Sequence, residues 1–309
     1  MNLKLRKRVI VMVMMVCAFA ILGAVSVQAA DDYTPISERG YAHTDSLMSC
    51  KELNKIKDQD NVKIVDNGHK AKFMAGHIPG AVNIEKGEMK ADAGMRISKE
   101  EFEDLLSEYG ISNEDTIVVY DRHGNKYASW FWWLAKLYGH EDVKLLDGGL
   151  TRWDDLDFDK KRWGSKADKT PTDYTAEEID KSWLATLDEV RNNLENEDVV
   201  IMDTRAQEEY KGEKLLSGAG RKGRIPNSVW LEWHEDLNED NTFQTAAEIK
   251  DMYEKEGITA DERVITYCQS AVRSSHALFT MTELLGYENV KNYDGSWIEW
   301  SNNEDLPIE

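Results

Sequence analysis

Cysteine is scarce in this chain, with three in 309 residues: Cys17, Cys50 and Cys268. Cys17 falls in an N-terminal apolar stretch, and Cys50 and Cys268 lie in different halves, so no structural disulfide is expected. Positive charge is also short. The 38 Lys and Arg against 58 Asp and Glu leave a net charge of −20. A surface of that sign repels nucleic acid and anionic membranes, so neither is an expected partner. The histidines at 43, 69, 77, 123, 140, 234 and 276 contain no close pair with metal-ligand spacing, and no metal site is expected. There is no glycine loop of the P-loop or dinucleotide type, so no cofactor is expected. Acidic clusters such as Glu235-Asp236 and Glu239-Asp240 read as solvated loop faces.

One apolar run is long. Lys4, Arg6, Lys7 and Arg8 precede the uncharged residues 9–30, and Val27-Gln28-Ala29 offers small residues for cleavage. This is the layout of a secretory signal peptide over residues 1–29. An uncleaved anchor is the other reading of a stretch that could span a bilayer, and Asp31-Asp32 directly after it favour cleavage. On that reading the mature protein is exported to the periplasm or cell envelope, with no stable membrane insertion. Its 34 basic and 58 acidic residues give a net charge of about −24.

Cys268 follows the apolar run Arg263-Val264-Ile265-Thr266-Tyr267 and opens the string Gln269-Ser270-Ala271-Val272-Arg273-Ser274-Ser275. A thiol that leaves a buried strand for a tight loop closed by arginine is placed for anion chemistry. The loop amides converge near the sulfur, and a helix begins there with the positive end of its dipole. Both favour the thiolate, which is the nucleophile. The competing reading is a small cysteine that only packs, and the polar residues flanking Cys268 argue against it.

The chain also repeats itself. Pro79 and Pro226, Asp121 and Cys268, Asp147 and Asp294, and Trp153 and Trp300 are each separated by 147 residues. Asp66 and Asp203 are separated by 137, which places ten extra residues in the second copy, around 211–223. Each copy alternates β-branched runs with helical patterns, the mark of a parallel sheet with helices on both faces. Leu105-Leu106 fall in one expected helix, 128–138 in another, and 277–285 in the second copy's equivalent of the latter. Trp130-Phe131-Trp132-Trp133 read as helix core and domain-interface packing. The charged, aperiodic residues 154–174 read as the linker. Because the first copy has Asp121 where the second has Cys268, chemistry is expected in the second domain only.

These residues resemble the tandem rhodanese family, the thiosulfate and 3-mercaptopyruvate sulfurtransferases. The resemblance rests on His77-Ile78-Pro79-Gly80-Ala81-Val82, on Asp203-Thr204-Arg205, on residues 267–274, and on the Asp-Gly segments ending at Trp153 and Trp300. It implies an α/β fold of two tandem rhodanese-like domains, each a mainly parallel five-stranded sheet flanked by helices. The expected bounds are 30–165 for a noncatalytic domain and 166–309 for the catalytic one. It implies further that Cys268 carries a persulfide, loaded from a small-molecule donor (thiosulfate or 3-mercaptopyruvate) and unloaded by a thiol or cyanide. Gln269, Ser270, Ala271, Val272, Arg273 and Ser274 would form the persulfide loop. Arg205 matches a family residue near the pocket and Asp203 accompanies it; an Arg–Asp structural pair is the alternative.

Departures from the family pattern bear on the donor. Glu209 stands where mitochondrial-type members carry the arginine that holds the donor anion, so Arg205, Arg221, Arg224 or Arg273 must substitute, or affinity is weak. Ser270 replaces a loop lysine, as in mercaptopyruvate enzymes, while the run Cys-Gln-Ser-Ala-Val-Arg looks more like bacterial thiosulfate-type loops. Ala271 replaces a usual glycine. Related phosphatases use Cys-x5-Arg; the Cys-x4-Arg spacing here suits one sulfur and crowds a phosphate. An exported persulfide carrier or docking protein is the non-enzymatic alternative.

Overall fold

The computed structural model describes residues 33–91, 94–161 and 170–309. The expected leader (1–29) and the middle of the expected linker lie outside them. Residues 35–309 form one compact unit.

The first half runs β1 (Leu47–Met48), α1 (Cys50–Ile56), β2 (Val62–Asp66), α2 (Lys70–Ala75), β3 (Val82–Asn83), α3 (Lys99–Glu108), β4 (Thr116–Tyr120), α4 (Lys126–Leu137), β5 (Val143–Leu146) and α5 (Gly149–Asp155). The second runs β6 (Leu184–Ala185), α6 (Leu187–Asn192), β7 (Val199–Asp203), α7 (Gln207–Tyr210), β8 (Val229–Trp230), α8 (Ala246–Lys255), β9 (Arg263–Tyr267), α9 (Val272–Phe279), β10 (Val290–Tyr293) and α10 (Ser296–Asn302). The strands form two five-stranded sheets of matching order, β1-β5-β4-β2-β3 and β6-β10-β9-β7-β8. Every pairing is parallel.

Strands buried on both faces explain the unbroken apolar runs. Ile117 and Val119 of β4 face a core with α3 and α4, whereas Val118 and Tyr120 face one with α1 and α5. Helix starts repeat with the strands. Ser98 with Glu101 and Thr245 with Glu248 form capping boxes at corresponding ends of α3 and α8. The expected third helix, 277–285, begins earlier, at Val272, and ends in a wider π-helical turn (Thr280–Leu284). The described parts of the linker lie along the first domain, with Lys161 paired to His77 and the Thr172 amide donating to the Ser107 carbonyl.

One apolar cluster runs through both halves. The aromatic run of α4 is wholly buried in it, and Trp132 meets Phe279 of α9 edge-on at 4.9 Å. Polar contacts across the interface are reciprocal. Asp147 accepts from the Phe243 amide at 3.1 Å and pairs with Arg39 at 2.9 Å. Its counterpart Asp294 accepts from the Arg96 amide at 3.3 Å and pairs with the Arg96 guanidinium at 2.5 Å. One acidic cluster is not a solvated face. Asp236 is 2% exposed and accepts from His276 and Thr280 of its own domain.

Removing one partner of a buried ion pair leaves the other uncompensated, at a cost of about 3 kcal/mol. Arg96→Ala is therefore expected to lower the urea midpoint by that equivalent with an unchanged m value. A shift worth less than about 0.5 kcal/mol would show that the pair does not hold the domains.

Candidate active site

The site grows from the C-terminal end of β9, the central strand of the second sheet. There the chain turns sharply from strand to helix, starting at Cys268. Ala271 carries the turn at φ +60°. That region costs an L-residue about 1–2 kcal/mol; the corresponding residue of the first domain is Gly124, at φ +69°.

Buried polar side chains hold the strained turn. Ser296 Oγ accepts from the amides of Cys268 and Ala271, at 3.2 and 3.0 Å. Asn292 Nδ2 and Ser275 Oγ donate to the Ala271 carbonyl, at 3.1 and 2.6 Å. Ser274 Oγ donates to Asn292 Oδ1 at 2.6 Å, and Thr266 Oγ1 donates to the Ser274 carbonyl at 3.1 Å. The first amides of α10 take two loop carbonyls, Trp297 from Cys268 and Ile298 from Gln269. Val272 is buried at the first position of α9. Gln269 reaches outward, its Nε2 donating to the Ser217 carbonyl, so the ten extra residues of the second copy wall one side of the loop.

Cys268 is 1% exposed. Burial by itself pushes a thiol up. Here the Arg273 guanidinium and the amides of Ser270 and Ser274 outweigh it, and Cys268 is held below the ordinary thiol range. Cys50 shows the opposite outcome. It is as deeply buried, faces the carbonyls of Asp147 and Gly149 at 3.7 Å, and is pushed well above that range, chiefly by burial. Both cysteines are free.

The first domain shows the same loop occupied by a carboxylate. Asp121 Oδ1 accepts from the amides of His123 and Asn125, at 2.7 and 2.9 Å. Its Oδ2 accepts from those of Tyr127 and Ala128, at 2.8 and 3.4 Å. The amides of His123 and Tyr127 correspond by the 147-residue offset to those of Ser270 and Ser274. Corresponding amides thus meet a carboxylate in the first copy and favour the thiolate of Cys268 in the second.

The arginines are committed. Arg273 makes a two-pronged pair with Glu209, at 2.7 and 2.9 Å, and Glu209 is 3% exposed. Arg205 pairs with Asp203 at 2.6 Å, donates to the Gly223 carbonyl, and lies over the Trp297 ring at 4.5 Å. Arg205 is 1% exposed and Asp203 fully buried, and the two form the expected Arg–Asp pair. Arg221 donates to the carbonyls of Trp300, Ser301, Asn303 and Leu306. Arg224 pairs with Glu309.

Sequence reasoning missed three contributors. Ser296 and Asn292 brace the loop; the Asp-Gly-Ser that replaces Asp147-Gly148-Gly149 was the available signal for the first. Lys90 of the first domain reaches the Ser270 carbonyl at 3.3 Å, and nothing in the linear order marks it. A cavity of about 560 Å³ opens over the other loop, lined by Arg122, His123, Lys126, Trp233 and Leu237.

The family model for the rhodanese-like domain matches residues 49–156 and 186–303. A Saccharopolyspora erythraea protein named "Putative thiosulfate sulfurtransferase" is 40% identical over 246 residues, covering 77% of this chain and 86% of that protein. "Sulfur carrier protein TtuD" of Thermus thermophilus is 35% identical over 281 residues, covering 87% and 98%. Among solved structures, an EanB variant with a cysteine persulfide, in a tetrahedral intermediate state with ergothioneine, superposes with a TM-score of 0.80 at 26% identity, covering 87% of this chain and 71% of that one.

Iodoacetamide should alkylate Cys268 and spare Cys50, with a pH midpoint below that of an ordinary thiol. Arg273→Gln should raise the midpoint, because it removes the nearest cation. Glu209→Gln should lower it, because it unmasks that cation. Peptide mapping across pH checks all three; equal labelling of Cys50 and Cys268 would contradict the depressed thiol.

Proposed function

This chain belongs to the rhodanese-like family of sulfurtransferases, with two such domains in tandem, and we propose that it is a thiosulfate sulfurtransferase working through a persulfide on Cys268. The observation that carries the reading is the thiolate-favouring environment of Cys268 within its ring of amides. The Cys268 thiolate attacks the outer sulfur of thiosulfate. The S–S bond breaks, sulfite leaves with the electron pair, and the outer sulfur stays as Cys268–S–S⁻. The amides that favour the thiolate also suit the terminal sulfur anion, since preorganised donors act most strongly where water is excluded. Cyanide or a thiol then attacks that sulfur; with cyanide the products are thiocyanate and the restored thiolate.

The Thermus relative's name favours a second reading, in which the persulfide is cargo handed to another protein. Such a carrier loads with sulfur but turns over negligibly with small acceptors. If 3-mercaptopyruvate is the donor, its kcat/KM will far exceed that for thiosulfate. The basic and apolar segment at 1–29 supports export as the setting for either activity.

Intact-mass measurement is the test. Thiosulfate should add one sulfur to the purified protein, cyanide should remove it, and Cys268→Ala should show no gain. Absence of an adduct on the wild type would refute the persulfide reading, and hydrolysis of an aryl phosphate lost in Cys268→Ser would point to phosphatase chemistry instead.

A further inference from the structure

Sulfur transfer from thiosulfate needs a cation for the sulfonate end of the donor, and the arginines around Cys268 are tied to carboxylates or carbonyls. Cations of another kind come from the first domain. Lys90 follows a 3-10 turn (Lys86–Met89) and is pinned by pairing with Arg96. Its Nζ lies 3.0 Å from the Gly94 carbonyl and 3.3 Å from that of Ser270, over the Trp130 ring at 5.1 Å. Among the described residues no carboxylate forms an ion pair with Lys86, Lys90 or Lys126. Lys86 and Lys126 lie over the Tyr127 ring at 5.2 and 5.0 Å. Burial pulls Lys90 and Lys126 below the ordinary lysine range, and the charge of Cys268 acts on both in the opposite sense.

The duplication supplies a control. Lys86 and Lys90 correspond, 147 residues on, to Trp233 and Leu237. Those two cover the first domain's loop so closely that a Cβ at Gly124 would meet Leu237 at 2.6 Å and Trp233 at 3.1 Å. One domain therefore caps its neighbour's inert loop with apolar and aromatic side chains. The other sets Lys90 against the cysteine loop, with Lys86 one turn before it.

We propose that Lys90, assisted by Lys86, binds the sulfonate end of the donor, so that the noncatalytic domain supplies the donor-binding charge. The inference rests on the sulfurtransferase reading and narrows the donor class to compact oxyanions that carry a sulfane sulfur. Lys90 stands beside the Ser270 carbonyl, two residues from Cys268.

The test is steady-state kinetics with thiosulfate and cyanide on the wild type, Lys90→Met, Lys90→Arg and Lys86→Met, with thermal unfolding as the folding control. Losing a charge-assisted contact should raise the thiosulfate KM of Lys90→Met by about ten- to a hundredfold. The KM for cyanide should stay near its wild-type value, Lys90→Arg should keep most of the affinity, and Lys86→Met should show a smaller rise. The wild-type kcat/KM for thiosulfate should fall with ionic strength, although the chain is acidic overall, and Lys90→Met should flatten that slope. A folded Lys90→Met with a thiosulfate KM within about twofold of wild type overturns the proposal. If the wild type takes no sulfur from thiosulfate, the reading beneath it fails instead; if it loads and Lys90→Met loads equally, only this inference fails.

Discussion

Main-chain amides at the end of a central parallel strand must point somewhere; in the first half of this protein they point at a carboxylate, and in the second those of Ser270 and Ser274 act on the Cys268 sulfur. The first half fills the ring with the Asp121 carboxylate, held by four amides. The second fills it with a sulfur that the same kind of ring biases toward the thiolate. A carboxylate satisfies such donors permanently, while a thiolate satisfies them and remains a nucleophile. The strained φ of Ala271 and the buried network of Ser296, Asn292 and Ser275 keep the ring closed. Desolvation opposes charge at a residue 1% exposed, so the ring and Arg273 must together exceed it.

Each domain depends on the other. Their aromatic helices share one core, and the acids after β5 and β10 take amides from across the interface. The result is near symmetry with a chemical difference at the caps. Trp233 and Leu237 pack on one loop, and Lys90 reaches the other. Glu209 changes the balance again. It occupies Arg273 with both oxygens, which fixes the guanidinium whose charge lowers Cys268.

Much of the fold was legible in the sequence, because the duplication is written in landmarks that must recur when a fold recurs. β4 and β9, β5 and β10, and α3 and α8 all begin 147 residues apart, and β2 and β7 begin 137 apart. The cysteine loop was legible for the same reason: a polar string after a buried strand has few other uses. What could not be read was pairing across the chain. Glu209 was recognised as unable to hold an anion, but its role as the partner of Arg273, 64 residues away, came from the fold. Asp236 reads as a surface acid, yet it is buried against His276 and Thr280, 40 and 44 residues away. Lys90 lies 180 residues from Ser270, and only the assembled domains bring them together.

Replacing Cys268 by aspartate tests the central claim most directly, through urea unfolding at neutral pH. An acidic residue at a fully buried position ordinarily costs several kcal/mol. If the loop is a built anion holder, as its counterpart around Asp121 indicates, Cys268→Asp should unfold within about 1 kcal/mol of the wild type. A loss of about 4 kcal/mol or more would contradict the account, since the amides would then not be arranged to receive a charge.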